Sequence, residues 1–379
     1  MNLTANNEGI DGFKHHNVSI NVTTDGAPPK TPMYILVIAA VFFLLIFIVG
    51  LIGNIYIIAL VCGLRHMRTK MCILFMNLSI TDLLVVVICM PGTAVDVFAN
   101  EAWLLGEAAC ILVYFLESVV MLASASTVLV IGVDRYLAIC KPTTDNVWKK
   151  LNIATKITGI WTLAILGCAP VVFIAKIQEE KNDDGTLVKM CDLIFDRNWK
   201  IGYMISVFIV LFFLVFLMLL FLIQRMASKL LRPSNLLEGQ IKTKRIRERR
   251  RVVVMLFLVA VCFFVCLFPA RVVAIWWVFA EEKLTNKLGW EGRVNRNFFS
   301  HLMMYLNSAL NPVIYNSMST NVREVTAILL RKWCKLCKKK RKYDINNQNE
   351  ATAHRNPDLP GRQREFNLVQ ISIIQHHQQ

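Results

Sequence analysis

Asp134, Arg135 and Tyr136 stand together near the end of one long apolar stretch, and Asn311-Pro312-Val313-Ile314-Tyr315 stands near the end of another. Charged groups on a membrane-length segment are costly, so they mark function by default. In a seven-pass layout both motifs fall on the same membrane side. They point to a helix bundle whose inner end can be switched.

A second set of polar residues runs deeper. Glu117, Ser124 and Arg135 are 7 and 11 residues apart, close to two and three turns of a helix. One face of that segment would therefore carry an acid near the outer mouth, a hydroxyl at mid-depth and the Asp-Arg pair about 27 Å below the acid. Asp82 lies mid-depth in another segment with no Lys or Arg at its level. An ionised carboxylate there must be paired, hydrogen-bonded or neutralised. Asn54, Ser124, Asn307 and Asn311 are available from neighbouring segments. An oxygen-rich cluster with one carboxylate suits a hard cation such as sodium. A protonated Asp82 held by the same amides is the alternative.

Near the outer end, Asp96, Glu117, Met121, Arg271 and Tyr305 form the expected ligand-binding set. Glu117 and Arg271 are deep enough to need partners, either each other or groups of a ligand. The acids Glu179, Glu180, Asp183, Asp184 and Asp192 belong to an outer loop and read as solvated charge. Zinc-binding His pairs on a membrane helix, a Gly-x-Ser-x-Gly elbow and a phosphate-binding Gly loop are all missing from the sequence. No enzyme activity is expected.

The elements that must hold these residues are read from apolar blocks. The chain is 55% hydrophobic and 18% charged, outside the usual range for a soluble globule of 379 residues. The blocks are about 20 residues or longer, enough to cross a ~30 Å hydrocarbon core. They cover about 33–62, 71–98, 108–140, 153–176, 200–226, 252–280 and 297–318. This predicts an all-α membrane protein: a seven-helix domain over 33–318, a short amphipathic eighth helix over 319–334, and flanking tails at 1–32 and 335–379. Pro91, Pro170, Pro269 and Pro312 fall inside four of the blocks and predict kinks, a cavity and hinge motion.

The formal charge is +16, which could suggest nucleic acid. Its placement points elsewhere. Basic residues cluster at Arg65, Arg68 and Lys70, at Lys141, Lys149 and Lys150, through Lys242–Arg251 and in Arg331–Lys342, all on one side of the layout. That side is predicted to be cytoplasmic, next to anionic lipid, with the N-terminus outside. No nucleic-acid partner is expected. The first 32 residues hold no cleavable signal pattern. They carry sequons at Asn2, Asn17 and Asn21, expected glycosylation sites.

Of eleven cysteines, only Cys110 and Cys191 fall at the outer surface, and a disulfide between them is expected. Cys334 and Cys337 follow the last helix in a basic stretch and are either palmitoylated or two free thiols.

These residues resemble the rhodopsin-like (class A) G-protein-coupled receptors across 33–335. The resemblance rests on Gly53-Asn54, Asn77-Leu78 with Asp82, and Trp103-Leu104-Leu105-Gly106 before Cys110. It rests equally on Asp134-Arg135-Tyr136, Trp161, Cys191, Phe263, Cys266 and Pro269, and Asn311 to Tyr315. Within the class, Cys110 to Arg135 with Glu117, and Pro269-Ala270-Arg271 with Trp276, are similar to receptors of the thyrotropin-releasing-hormone and growth-hormone-secretagogue type. The resemblance implies a plasma-membrane receptor for an extracellular peptide, acting on heterotrimeric G proteins, with sodium as an allosteric ion and no other cofactor. It implies that Asp134 cages Arg135 at rest, that Tyr315 swings toward Arg135, and that Asp82, Ser124, Asn307 and Asn311 bind the sodium.

Receptors for amines or other small ligands remain the alternative, although Glu117 stands where amine receptors use Asp. Tyr305 stands where opsins carry their retinal lysine. A transporter would show repeated halves, which the sequence lacks.

Three departures matter. Leu267 replaces the usual Trp of segment six. Segment five lacks the usual proline and inward tyrosine. Arg249 stands where many receptors place an acid that holds Arg135. Like charges repel, so a weakly latched resting state and raised basal signalling are expected. Cells with and without the protein, compared at matched surface level, should differ in unstimulated second messenger; equal levels would sink this expectation.

Overall fold

The computed structural model describes residues 31–99, 102–143, 147–181, 187–194, 202, 205–206, 213–231, 240–279, 289–318, 322–328, 331, 335 and 338. Seven helices account for most of them: α1 (Met33–Gly63), α2 (Lys70–Phe98), α3 (Gly106–Cys140), α4 (Ile153–Ile174), α5 (Val215–Leu231), α6 (Gln240–Phe279) and α7 (Gly289–Met318). Neighbours pack in the order α1–α2–α3–α4 and α5–α6–α7–α1. The long α3 is central, touching α2, α4, α5 and α6.

Lipid cannot hydrogen-bond a backbone, so spanning segments must satisfy their own N–H and C=O groups as helices. α1 shows how such a helix chooses its inner face. Ile35, Ala39, Phe43, Ile46, Gly50, Asn54, Ile57, Leu60 and Val61 are buried, three or four residues apart except at the end. The opposite face is just as apolar, with Val37, Val41, Leu44, Leu45, Ile48 and Ile52 exposed. Hydrophobicity does not separate the faces; small and polar side chains do, as expected where the outside is lipid.

Local signals set the ends. Thr69 caps α2 by accepting from Cys72 N, and Asn152 caps α4 by accepting from Thr155 N. A π turn at Val85–Cys89 absorbs the approach of Pro91 in α2. Pro269 and Pro312 sit inside α6 and α7. A Cβ added to Gly53 would lie 2.8 Å from the Cβ of Pro312, so glycine is what lets α1 reach α7 at its proline.

α6 begins at Gln240 and α7 at Gly289, earlier than the apolar blocks beginning near 252 and 297. Apolarity marks the lipid slab. The helices run past it into water on Arg, Lys and Glu, which are good helix formers.

The fold is not purely helical. β1 (Ala175–Lys181) and β2 (Leu187–Leu193) form an antiparallel hairpin after α4, with Cys191 opposite Ile177. The expected loop acids Glu179, Glu180 and Asp192 are therefore strand residues. A two-stranded hairpin is marginal alone. This one is anchored by the Cys110–Cys191 disulfide (Cα–Cα 5.8 Å) and by Trp103 N donating to the Lys189 carbonyl at 2.7 Å. Gly106, at φ +80°, lets the chain turn so that its carbonyl accepts from the Trp103 indole at 2.7 Å.

Past α7, residues 322–328 are helical. Thr326 accepts from Tyr56 at 2.7 Å and donates to Asn316 at 2.9 Å, tying this turn to α1 and α7. Asn2, Asn17, Asn21, Asp183, Asp184, Cys334 and Cys337 lie outside the described residues, as do much of segment five and of the 319–334 and 335–379 regions.

Overpacking a tight contact costs about 1–3 kcal/mol. Gly53→Ala should lower the melting temperature of the purified protein. Gly63→Ala, whose added methyl would meet nothing within 4 Å, should leave it nearly unchanged. Equal shifts would show that the α1–α7 approach is not tight.

Candidate functional site

The polar residues form three levels along the bundle axis, called outer for the one nearest the Cys110–Cys191 disulfide and inner for the one at the opposite end. The outer level draws Thr93 and Asp96 from α2, Glu117 and Met121 from α3, Arg271 from α6, and His301 and Tyr305 from α7. Tyr305 is fully buried. Its hydroxyl lies 2.6 Å from Thr93 Oγ1, and it donates to Glu117 Oε1 at 3.4 Å. His301 stacks on Tyr305 with centroids 6.4 Å apart, and its Nδ1 is 2.9 Å from the Asn297 carbonyl. Arg271 reaches toward the sulfur of Met121 and supplies positive charge that acts on Glu117. All five expected ligand-binding residues are thus near the outer end, with Asp96 half-buried one turn above Thr93.

Below Glu117 lies a narrow cavity of about 20 Å³, room for roughly one water molecule. Its lining runs from Glu117 and Met121 past Leu267 to Ser124, Asn307 and Asp82. Asp82 accepts from Asn311 Nδ2 at 2.9 Å and also bonds Ser308. Ser124 donates to Thr81 at 2.8 Å rather than to the carboxylate. Asn54 donates to the carbonyls of Gly50 and Ser308, at 2.9 and 3.0 Å, and so ties α1 to α7. The Oδ1 atoms of Asn54 and Asn307 are buried without a hydrogen-bond partner among the described residues.

The inner level departs from expectation. Among the described residues no hydrogen bond or ion pair joins Asp134 to Arg135, although the charge of Asp134 still acts on Arg135. Asp134 Oδ1 takes Lys156 Nζ from α4 at 2.6 Å and the indole N–H of Trp148 at 2.6 Å. Arg135 is half-buried, and its Nε has no hydrogen-bond partner among the described residues. The physical reason is reach: a long lysine on the facing helix can meet the carboxylate head-on, while neighbours on one helix point about 100° apart. Tyr136 packs on the inner core, and Tyr315 stacks on Phe75 with centroids 4.4 Å apart. Arg249 is exposed at the inner end of α6.

The same arrangement fits known proteins. Residues 53–315 match the 7 transmembrane receptor (rhodopsin family). The chain belongs to that family. It is therefore a multi-pass membrane receptor, in a family that signals by changing shape and does not catalyse bond chemistry. It is 27% identical over 288 residues to the allatostatin-A receptor of Bombyx mori, covering 76% of this chain and 77% of that protein. It is 28% identical over 300 residues to galanin receptor 2b of Danio rerio, covering 76% and 73%. It is 27% identical over 291 residues to somatostatin receptor type 1 of Rattus norvegicus, covering 76% and 70%.

Sequence reasoning missed Thr81, Thr93, Trp148, Lys156, His301 and Ser308 as partners. Lys156 alone carried a signal, a charge inside an apolar block. The hydroxyls had none, because Ser and Thr are ordinary residues on any membrane helix.

The two buried tyrosines separate partnered from unpartnered hydroxyls. Tyr305→Phe strips a partner from Thr93 and Glu117, and a buried group left unsatisfied costs about 1–3 kcal/mol. Tyr315→Phe removes a hydroxyl that has no hydrogen-bond partner among the described residues. Melting of the purified receptor should drop for Tyr305→Phe and stay close to wild type for Tyr315→Phe; the reverse order would refute the outer network.

Proposed function

We propose that this receptor binds an extracellular peptide and passes that binding to heterotrimeric G proteins. The observation that carries the reading is the set of relatives over three-quarters of the chain, named as receptors for allatostatin-A, galanin and somatostatin, each a peptide. The outer level suits such a ligand. Glu117 offers a buried carboxylate, while Arg271 offers positive charge, so one pocket can read both signs on a peptide. An amine-like ligand is not favoured by these relatives. The inner level offers Arg135, Tyr136, Asn311, Pro312 and Tyr315 to the G protein once the helices shift. A ligand can only bias such an equilibrium by binding one state better.

On this reading the N-terminus, with Asn2, Asn17 and Asn21 as glycan acceptors, faces outward at the plasma membrane. The basic inner face and the turn at 322–328, part of an amphipathic eighth helix, lie against anionic lipid. Cys334 and Cys337 would take palmitate there. Asp82, Ser124, Asn307 and Asn311 fit sodium, because the set is all oxygen with one carboxylate and Asn307 Oδ1 is buried with no hydrogen-bond partner among the described residues. The ion would supply a positive charge to the Asp82 carboxylate and so favour the arrangement that holds it.

Calcium and cyclic-AMP signalling in transfected cells, screened with amidated neuropeptides, tests the proposal. A peptide response is expected. It should vanish in Arg135→Ala, weaken in Glu117→Gln by about tenfold or more in potency, and shift with sodium in wild type but not in Asp82→Asn. Silence at confirmed surface expression would overturn the peptide reading. A response that survives Glu117→Gln would move the pocket away from Glu117.

A further inference from the structure

Asp134 has two cations within its neighbourhood. Arg135 follows it in sequence, and Lys156 meets it from α4. In the structure Lys156 holds it, at 2.6 Å, with the Trp148 indole donating to the same oxygen at 2.6 Å. The ammonium also lies 4.8 Å from the centre of the indole ring, so the three groups close on one another. The Lys156 side chain is 4% exposed and that of Asp134 14%. The pair is therefore largely out of water, where attraction between opposite charges is much stronger than on a surface. Lysine is a costly residue for that place on α4 unless it has such a partner. The loop joins in. Trp148 belongs to the short helical turn Val147–Lys150, and Lys149 Nζ caps the end of α3 at the carbonyls of Lys141 (2.5 Å) and Pro142 (3.1 Å).

We propose that Lys156 is a positioning residue of the inner switch: with Trp148 it occupies Asp134, and so leaves Arg135 uncaged and available to a G protein. The inference rests on the receptor reading above. Both contacts fall on Asp134 Oδ1, and they turn the carboxylate toward α4; among the described residues no hydrogen bond or ion pair joins it to Arg135, which still feels its charge. Arg249, exposed on α6, offers no acid at that position. Occupation of Asp134 thus favours signalling, and removal of Lys156 returns the carboxylate to Arg135 and quiets the receptor. Trp148 extends the effect to the loop between α3 and α4, which the same oxygen orders.

The test uses the full-length receptor in lipid nanodiscs with purified G protein and no agonist. Lys156→Gln should lower basal nucleotide exchange by about fivefold or more, the low end of a typical coupling between two sites. Lys156→Arg should retain it. Adding Asp134→Asn to Lys156→Gln should restore it, because no carboxylate is then left to capture Arg135. Exchange is normalised to folded receptor, because a merely structural lysine would change the amount of folded receptor and not the exchange per folded molecule. Basal exchange that is unchanged or raised in Lys156→Gln overturns the proposal.

A second measurement needs neither ligand nor G protein. Melting shifts of Asp134→Asn and Lys156→Gln should be strongly non-additive, and those of Asp134→Asn and Arg135→Gln close to additive. A larger coupling between 134 and 135 also overturns the proposal. Absence of agonist-independent exchange in the wild type would also overturn the proposal, leaving an intact 134–156 coupling as a structural pair only, whereas failure of the peptide reading would show as silence to added peptides with basal exchange present.

Discussion

A polar group inside a bilayer must find its partner inside the protein, because neither lipid nor bulk water will supply one. That constraint shapes every level of this receptor. It forces the backbone into helices. It turns Asn54, Asp82, Ser124, Asn307 and Asn311 inward, where each is buried. It also sets where the helices may meet, since α1 is tied to α7 through Asn54 bonding the Ser308 carbonyl. The apolar majority is permissive by comparison. The lipid-facing side of α1 is as hydrophobic as its buried side, so burial of Leu, Ile and Val cannot orient the helix. Small and polar residues do, by fit and by hydrogen bond.

Seen this way, the parts of the fold that were legible in the sequence are those the constraint writes in residue type. Asp82, Glu117 and Arg135 could be picked out because a charge in an apolar block has no innocent explanation. Cys110 and Cys191 could be paired because only they stand at the outer surface, and the structure joins them. Helix ends were less legible. α6 starts at Gln240, in a cationic run that looks like loop by hydropathy but has the composition of a solvated helix. The hairpin at 175–193 was hidden for another reason. Its strands are short and mixed in polarity, and their order depends on a disulfide and on Trp103, which are distant in sequence. Partner choice was the least legible of all. Sequence offers Asp134 an arginine next door, but adjacency along a helix is a poor guide to contact, and the better-aimed lysine lies 22 residues away.

The middle of the bundle shows how one departure spreads. Leu267 stands where related receptors place a tryptophan, and it lines the cavity that has Glu117 at one end and Asp82 at the other. A smaller side chain leaves less bulk between the outer and central levels. Two carboxylates consequently border a single narrow space. Their separation is maintained by the partners each has: Tyr305 for Glu117, Asn311 and Ser308 for Asp82.

At the inner end the accounting is of charge. α3 contributes one acid and one base in sequence, and α4 contributes a second base that is buried against the acid. Three charges with two positive leave one cation without a full partner, and geometry decides which. Lys156 is enclosed, close to the indole of Trp148, and would be stranded if it lost Asp134. Arg135 is half-buried at the bundle's inner end and keeps a route to water or to another protein. The cost of leaving a cation unpaired is lowest where solvent can reach it. The same burial that makes the Lys156 pair strong therefore makes Arg135 the cation left over.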